Sequence, residues 1–406
     1  MAFNTVTNSE RVHISFFGCR NVGKSSLVNA ITEQKVAVVA PTKGTTTDPV
    51  KKTMELFPLG PVVLTDTPGF DDVGNLGALR VEKAQQILRQ TDLAVLVVSA
   101  ETGLQAVDRQ LCQLFKTRQV PYLIVYNKSD LAPTQKDTAE KLFVSAKLGT
   151  GIAALKKRLA NFKLPQQARP LLGDLLQPQD LVILVTPIDS SAPKGRLILP
   201  QQLVIRDILD HHAYCIVTQP QELALTLANL KQPPRLVITD SQAFAQVAKI
   251  VPPAIPLTSF SILMARHKGI LTAAVKGVTA IDCLQTGDKV LIAEGCTHQR
   301  QCTDIGSVKL PTWLTAHTGK KLTFSFASAS AGYPTDLTQF ALILQCGGCM
   351  LTSQEMTNRM QEAKKLQIPL TNYGTAIAYL NGILARSINM LPAARQAYQV
   401  AQRNAN

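Results

Sequence analysis

His13-Ile14-Ser15-Phe16-Phe17-Gly18-Cys19-Arg20-Asn21-Val22-Gly23-Lys24-Ser25-Ser26 decides the fold. An apolar run of strand character, His13 to Phe17, leads into Gly18 to Ser25, which fits G-x-x-x-x-G-K-[ST]. The glycines let backbone N–H groups wrap a phosphate at a helix N-terminus, Lys24 reaches the β and γ phosphates, and the Ser25 hydroxyl ligates Mg²⁺. Gly18, Asn21, Val22, Gly23, Lys24, Ser25 and Ser26 are therefore the candidate phosphate-binding set. A strand, a glycine-rich turn and a helix in this order open an α/β domain.

The motifs beyond it complete a guanine-nucleotide site. Asp66-Thr67-Pro68-Gly69 follows the strand-like Val62 to Leu64, so Asp66 is placed for the magnesium's outer shell and the Gly69 N–H for a γ phosphate. Asn127-Lys128-Ser129-Asp130 follows the run Tyr122 to Val125. Asp130 can accept hydrogen bonds from guanine N1 and its exocyclic amine; adenine lacks both donors, so the specificity is for GTP. Ser145-Ala146-Lys147 closes the base pocket.

In this order the motifs resemble a translation-factor-like GTPase of the TrmE and Era type over about 160 residues. The resemblance implies that Gly44-Thr45-Thr46-Thr47-Asp48 is the first switch, with Thr46 covering Mg²⁺, and that Asn21 helps hold K⁺ beside the phosphates. Phe70 stands where Ras-like enzymes carry a water-orienting glutamine, so slow intrinsic hydrolysis stimulated by K⁺ is expected. Asp71 and Asp72 read as an exposed acidic switch loop.

Composition limits what the rest of the chain can be. At 406 residues there is room for two or three domains, and 46% hydrophobic against 17% charged residues describes globular packing. No apolar run is long enough to span a bilayer and the start of the chain lacks the pattern of a secretory signal, so a cytoplasmic protein without a membrane partner is expected. In a reducing compartment the eight cysteines point to metal binding or buried thiols rather than a disulfide framework. The net charge of +14 is spread evenly, with 21 basic and 14 acidic residues both in 1–163 and in the remainder. With no basic tail and no RNA-binding aromatic motif, a nucleic-acid partner is not expected.

After a polar linker bracketed by Leu164-Pro165 and Gln177-Pro178, strands are expected at Asp180–Val185, Ala213–Val217 and Arg235–Thr239, alternating with helices at Gln201–His212 and Pro220–Leu230. This is a small parallel sheet with no catalytic constellation, and self-association is its expected task. His211 and His212 read as residues at a helix C-terminus, and Cys215 as core. A helix at Arg266–Gly277 opens a third α/β segment. Strands at Lys289–Glu294, Leu322–Ser325, Phe340–Leu344 and Ile368–Leu370 alternate there with helices such as Ser353–Leu366 and Thr375–Met390.

Leu342 to Met350, LILQCGGCM, ends a buried strand in two thiols, Cys346 and Cys349, separated by glycines. Cys296 with His298 follows the other strand at Lys289–Glu294, and Thr371-Asn372-Tyr373-Gly374 follows a third. In doubly wound sheets, sites gather beyond the carboxyl ends of the strands. If the two Cys-bearing strands are neighbours, Cys296, His298, Cys346 and Cys349 form one site. That set suits a Cys₃His zinc centre or a [4Fe–4S] cluster with one exchangeable position.

The whole chain is similar to the [FeFe]-hydrogenase maturation factor HydF family. The likeness rests on the GTPase motifs, on Pro187-Ile188-Asp189 and Ala192-Pro193-Lys194-Gly195-Arg196, on Cys296-Thr297-His298 with Asp304-Ile305-Gly306, on Cys346-Gly347-Gly348-Cys349 and on Thr371-Asn372-Tyr373-Gly374. It implies a GTPase domain (1–168), a small dimerisation domain (175–264) and an iron–sulfur cluster-binding domain (265–406). By the same resemblance Cys296, Cys346 and Cys349 ligate a [4Fe–4S] cluster, a transient di-iron precursor is carried, and the partners are radical-SAM maturases, apo-[FeFe]-hydrogenase and a second copy of the chain. Gln345 departs from the family, which often has histidine before the CxxC. His298, Cys302, water or an incoming group is left for the fourth iron, with Gln345 at most beside the ligands. The competing expectation is an RNA-modifying or ribosome-associated GTPase with a structural zinc domain.

Overall fold

A computed structural model describes residues 8–33, 49–69, 84–132, 141–163, 169–188, 197–295, 304–328 and 332–405. They belong to two compact units, Met1–Gln167 and Ala168–Asn406.

In the first unit, β1 (Val12–Phe17), β2 (Val50–Leu56), β3 (Gly60–Asp66), β4 (Leu93–Ser99), β5 (Tyr122–Asn127) and β6 (Lys141–Phe143) form one sheet in the order β2-β3-β1-β4-β5-β6. All neighbours are parallel except β2 with β3. Strand alternation sends Phe16, Val95 and Val97 into one core with Leu27, Ile31 and Leu155, and Phe17, Leu96 and Val98 into the other with Leu111 and Phe115. A strand buried on both faces reads as a continuous apolar run, as in Leu93–Ser99. The edge strand β2 was not expected. Its residues VKKTMEL bury only alternate positions, and two adjacent lysines obscure the pattern.

The second unit holds two four-stranded parallel sheets. β7 (Leu181–Val185), β8 (Tyr214–Thr218), β9 (Leu236–Thr239) and β10 (Leu257–Ser259) run in the order β10-β9-β7-β8. β11 (Lys289–Ala293), β12 (Thr323–Ala327), β13 (Leu342–Gln345) and β14 (Leu370–Asn372) run in the order β12-β11-β13-β14. The two topologies are the same: the second strand lies outside the first, and the third and fourth are added on the opposite side. One hydrophobic core takes Ile183, Val185 and Val237 from one sheet and Val290, Ile292 and Leu344 from the other.

Two glycines divide helices that were expected to be continuous. Gly269 at φ 77° separates Phe260–His267 from Leu271–Gly277, and Gly382 at φ 68° separates Tyr373–Leu380 from Leu384–Ser387. Left-handed backbone of this kind ends a helix at little cost only when the residue has no Cβ. Cys215, expected in the core, is half-buried on the edge strand β8. Among the described residues no helix is long and apolar enough to cross a membrane.

Reversal of strand order in the second sheet falls between β11 and β13, where an α/β sheet opens a crevice at the carboxyl ends of its strands.

Candidate functional site

The phosphate loop runs from the end of β1 to the helix Lys24–Thr32. Gly18 has φ 141°, and a Cβ there would lie 2.2 Å from the Val97 carbonyl oxygen; one on Gly23 would lie 2.3 Å from Asn127 Nδ2. The loop therefore fits against β4 and β5 only because both positions are bare. Asn21, exposed, takes left-handed φ of 60°, while Val22 anchors the loop in the core. Buried Lys24 donates to the Gly18 oxygen at 3.0 Å and the Cys19 oxygen at 2.8 Å, its ammonium folded over the loop. Ser25 and Ser26 are exposed at the helix start.

Ser25 Oγ donates to Asp66 Oδ2 at 2.5 Å, and Asp66 Oδ1 is buried with no hydrogen-bond partner among the described residues. Burial pushes the Asp66 carboxyl above its ordinary range, opposed by the Ser25 hydroxyl and by the charges of Lys24 and Lys52. A hydroxyl beside an unsatisfied buried carboxylate oxygen suits Mg²⁺ with its water shell. Gly69 approaches the loop so closely that a Cβ would lie 2.8 Å from Arg20 Cα.

The base-binding residues are tied to the same loop. Asn127 Nδ2 donates to the Val22 oxygen at 2.9 Å, and its Oδ1 accepts from the Ala146 N–H at 3.0 Å. Ser145 Oγ donates to Asp130 Oδ1 at 2.6 Å, which holds the exposed carboxyl below the ordinary range. Lys128, at φ 62°, turns the chain between Asn127 and Asp130, and Lys147 is exposed beside them. Thr46, with the rest of Gly44–Asp48, and Phe70, Asp71 and Asp72 lie outside the described residues.

In the second unit β11 and β13 are parallel neighbours with Ala293 opposite Gln345, as the shared-site expectation requires. The Gly295 N–H donates to Cys346 Sγ at 2.8 Å, and the Gly348 N–H follows at 3.4 Å. Cys296, His298 and Cys302 lie outside the described residues, but Gly295 immediately precedes Cys296. Gly348 at φ 63° turns the CxxC loop, and its Cβ would strike Met356 Sδ at 2.6 Å.

Burial, reinforced by Cys346, pushes the Cys349 thiol up to about 11, against the pull of buried Lys268. The Cys346 thiol is also raised by burial, opposed chiefly by the Gly348 and Gly295 amides. These thiols are neutral alone and become thiolates only when a metal displaces their protons. Two adjacent sulfurs, one already accepting backbone N–H bonds, fit a thiolate-bound metal group.

Thr371-Asn372-Tyr373-Gly374 is positional. Asn372 Oδ1 accepts from the Thr375 N–H at 3.0 Å, capping a helix, while Nδ2 donates to the Ser261 oxygen at 3.1 Å. His211, at the C-terminal end of its helix, bonds through Nδ1 to the Asp207 oxygen at 2.8 Å. Sequence reasoning missed Glu355, Arg359 and Tyr333. Glu355 and Arg359 stand four apart on the helix Ser353–Lys365 and resemble any solvated helical pair. They are buried, and Arg359 contacts Gln345.

Comparison with known proteins divides the chain in the same order. Residues 13–128 match the family model of the 50S ribosome-binding GTPase, residues 171–269 that of the hydrogen maturase F dimerization domain, and residues 272–390 that of the hydrogen maturase F tetramerization domain. GTPase Era of Caldanaerobacter subterraneus is 31% identical over 185 residues, covering 42% of this chain and 61% of that protein. A tRNA modification GTPase MnmE of Synechococcus is 36% identical over 157 residues, covering 36% and 33%. The chain thus spans less than two thirds of the length of these relatives. A solved structure of Aquifex aeolicus Era bound to GDP and AlF₄⁻ aligns with a TM-score of 0.33 and 19% identity, over 59% of this chain and 97% of that one. The first unit is a GTPase that binds GTP and Mg²⁺.

Proposed function

This chain belongs to the hydrogen maturase F family, and from that premise we propose that it is a GTP-hydrolysing scaffold and carrier that binds a [4Fe–4S] cluster and delivers a di-iron precursor to apo-[FeFe]-hydrogenase. The precursor is cargo received from radical-SAM maturases. A homodimer formed through 171–269, in the cytoplasm, is the proposed working unit, with the maturase F tetramerization domain available for higher assembly.

In the GTPase unit Lys24 and the loop amides hold the phosphates, Ser25 and Thr46 ligate Mg²⁺, and Asp66 orders its water shell. Asn127, Asp130, Ala146 and Lys147 read the guanine, with Ser145 aligning Asp130. Asn21 would hold K⁺, which would supply beside the phosphates the positive charge that an arginine finger supplies elsewhere.

In the second unit Cys296, Cys346 and Cys349 are the proposed cluster ligands, with His298 or an exogenous group at the remaining iron. When bound, the cluster supplies an iron with an exchangeable position. One observation carries this reading: the Gly295 amide bonds the Cys346 sulfur, so the residue before Cys296 is within 2.8 Å of a proposed ligand. Two neighbouring strands thereby bring Cys346 and the residue that precedes Cys296 to one sheet edge.

The delivery step is tested with purified components. Protein purified after co-expression with the maturases is expected to convert apo-[FeFe]-hydrogenase to a hydrogen-evolving enzyme, and protein expressed without them is not. Failure of the loaded protein to activate the apo-enzyme contradicts the carrier reading.

A further inference from the structure

We infer that Gln345 is a hydrogen-bond donor to the Cys346 sulfur and not an iron ligand, its amide fixed in that sense by Tyr333 and by the buried pair Arg359–Glu355. The inference rests on Cys346 being a cluster ligand. Gln345 is 1% exposed and ends β13. The two ends of its amide differ in what they meet. Its Nε2 lies 3.2 Å from the Ala293 carbonyl oxygen and 3.6 Å from Cys346 Sγ; its Oε1 lies 3.1 Å from the Tyr333 hydroxyl and 3.3 Å from Arg359 Nη1. A carbonyl oxygen only accepts and a guanidinium only donates, so the amide cannot be reversed without setting N–H against N–H and oxygen against oxygen.

That orientation settles what the side chain offers. The carbonyl oxygen, its one plausible ligand atom, already takes two donors, while the N–H faces sulfur. Arg359 is held in turn. Its Nε donates to Glu355 Oε1 at 2.8 Å, side chains 1% and 5% exposed, and its guanidinium carbon lies 5.0 Å from the centre of the Tyr333 ring. Arg359 Nη2 and Glu355 Oε2 are buried without a hydrogen-bond partner among the described residues. A buried ion pair with unsatisfied atoms is a poor device for stability; its worth here is to fix one orientation of Gln345.

With Gly295 and Gly348, Gln345 makes a third N–H directed at Cys346 Sγ. Such donors draw charge from a ligating thiolate and favour the reduced cluster, which raises its potential. Gln345 is therefore a positioning residue whose effect is read in the potential rather than in iron content.

The test is an anaerobic redox titration, followed by electron paramagnetic resonance, of the full chain after iron and sulfide reconstitution. Gln345→Met keeps a side chain of similar length without an N–H. It is expected to retain wild-type iron and sulfide and to move the midpoint to more negative potential. Gln345→His, which keeps a ring N–H, is expected to shift less. An unchanged midpoint in Gln345→Met overturns the inference, as does a folded Gln345→Met that has lost its iron. Should that variant fail to fold, Tyr333→Phe loosens the amide while leaving its N–H; a smaller negative shift at full iron supports the inference and no shift overturns it. Wild-type protein that binds no iron defeats the cluster reading itself, and the inference with it.

Discussion

The backbone N–H of Gly295 donates to Sγ of Cys346 at 2.8 Å, joining the segment after β11 to the first residue after β13. The bond extends the pairing of these parallel neighbours beyond their carboxyl ends, at the reversal of strand order.

Nucleotide and thiol chemistry lie in different compact units. Lys24→Ala is expected to lower GTP hydrolysis by at least about 100-fold, the scale of losing one preorganised charge at a transferring phosphoryl group. It should leave bound iron unchanged. Cys346→Ala should do the reverse. Phosphate release and iron content, measured on both variants, check this; loss of both properties in either folded variant contradicts it.

Asn21 has the exposed, left-handed position in the phosphate loop from which its side chain can meet a monovalent cation. Hydrolysis is expected to be about 10-fold or more faster in K⁺ than in Na⁺, and Asn21→Ala should remove the difference. Equal wild-type rates in the two salts contradict this role.

Burial raises the Asp66 carboxyl above its unfolded value, so its protonated form favours the native state. That contribution is full below the ordinary carboxylate range and is lost as pH rises through the raised native value. At neutral pH, Asp66→Asn is accordingly expected to melt higher than wild type when nucleotide and Mg²⁺ are absent, and to gain less from adding them. Thermal melting with and without Mg²⁺ and GTP checks both signs; a lower melting point in the metal-free variant contradicts the account.

Glu355 balances a guanidinium that is 1% exposed. Glu355→Ala should cost about 3–5 kcal/mol, because it strands a buried charge. Replacing both partners, Glu355→Leu with Arg359→Met, should cost much less than the single change. Chemical denaturation of the three proteins decides it.

Motif chemistry was legible wherever it depended on local spacing. Gly18 to Ser25, Asp66, Asn127 and Asp130 stand out as candidates because phosphate and guanine demand fixed residue types at short separations. The β11–β13 pairing was legible as a condition, since both runs are apolar and end in cysteine. Gln345's surroundings were not legible: Tyr333, Glu355 and Arg359 lie outside the CxxC motif, and only tertiary packing turns Arg359 inward. Gly269 and Gly382 were likewise overlooked as helix breaks, since the apolar periodicity continues across both. The edge strand β2 escaped because one of its faces is charged.

Metal content per chain tests the central claim most directly. After anaerobic reconstitution the wild-type protein should carry about four iron and four sulfide, be brown, and absorb broadly near roughly 400 nm, with Cys296→Ala, Cys346→Ala and Cys349→Ala each losing the iron. A colourless protein holding about one zinc per chain would contradict it.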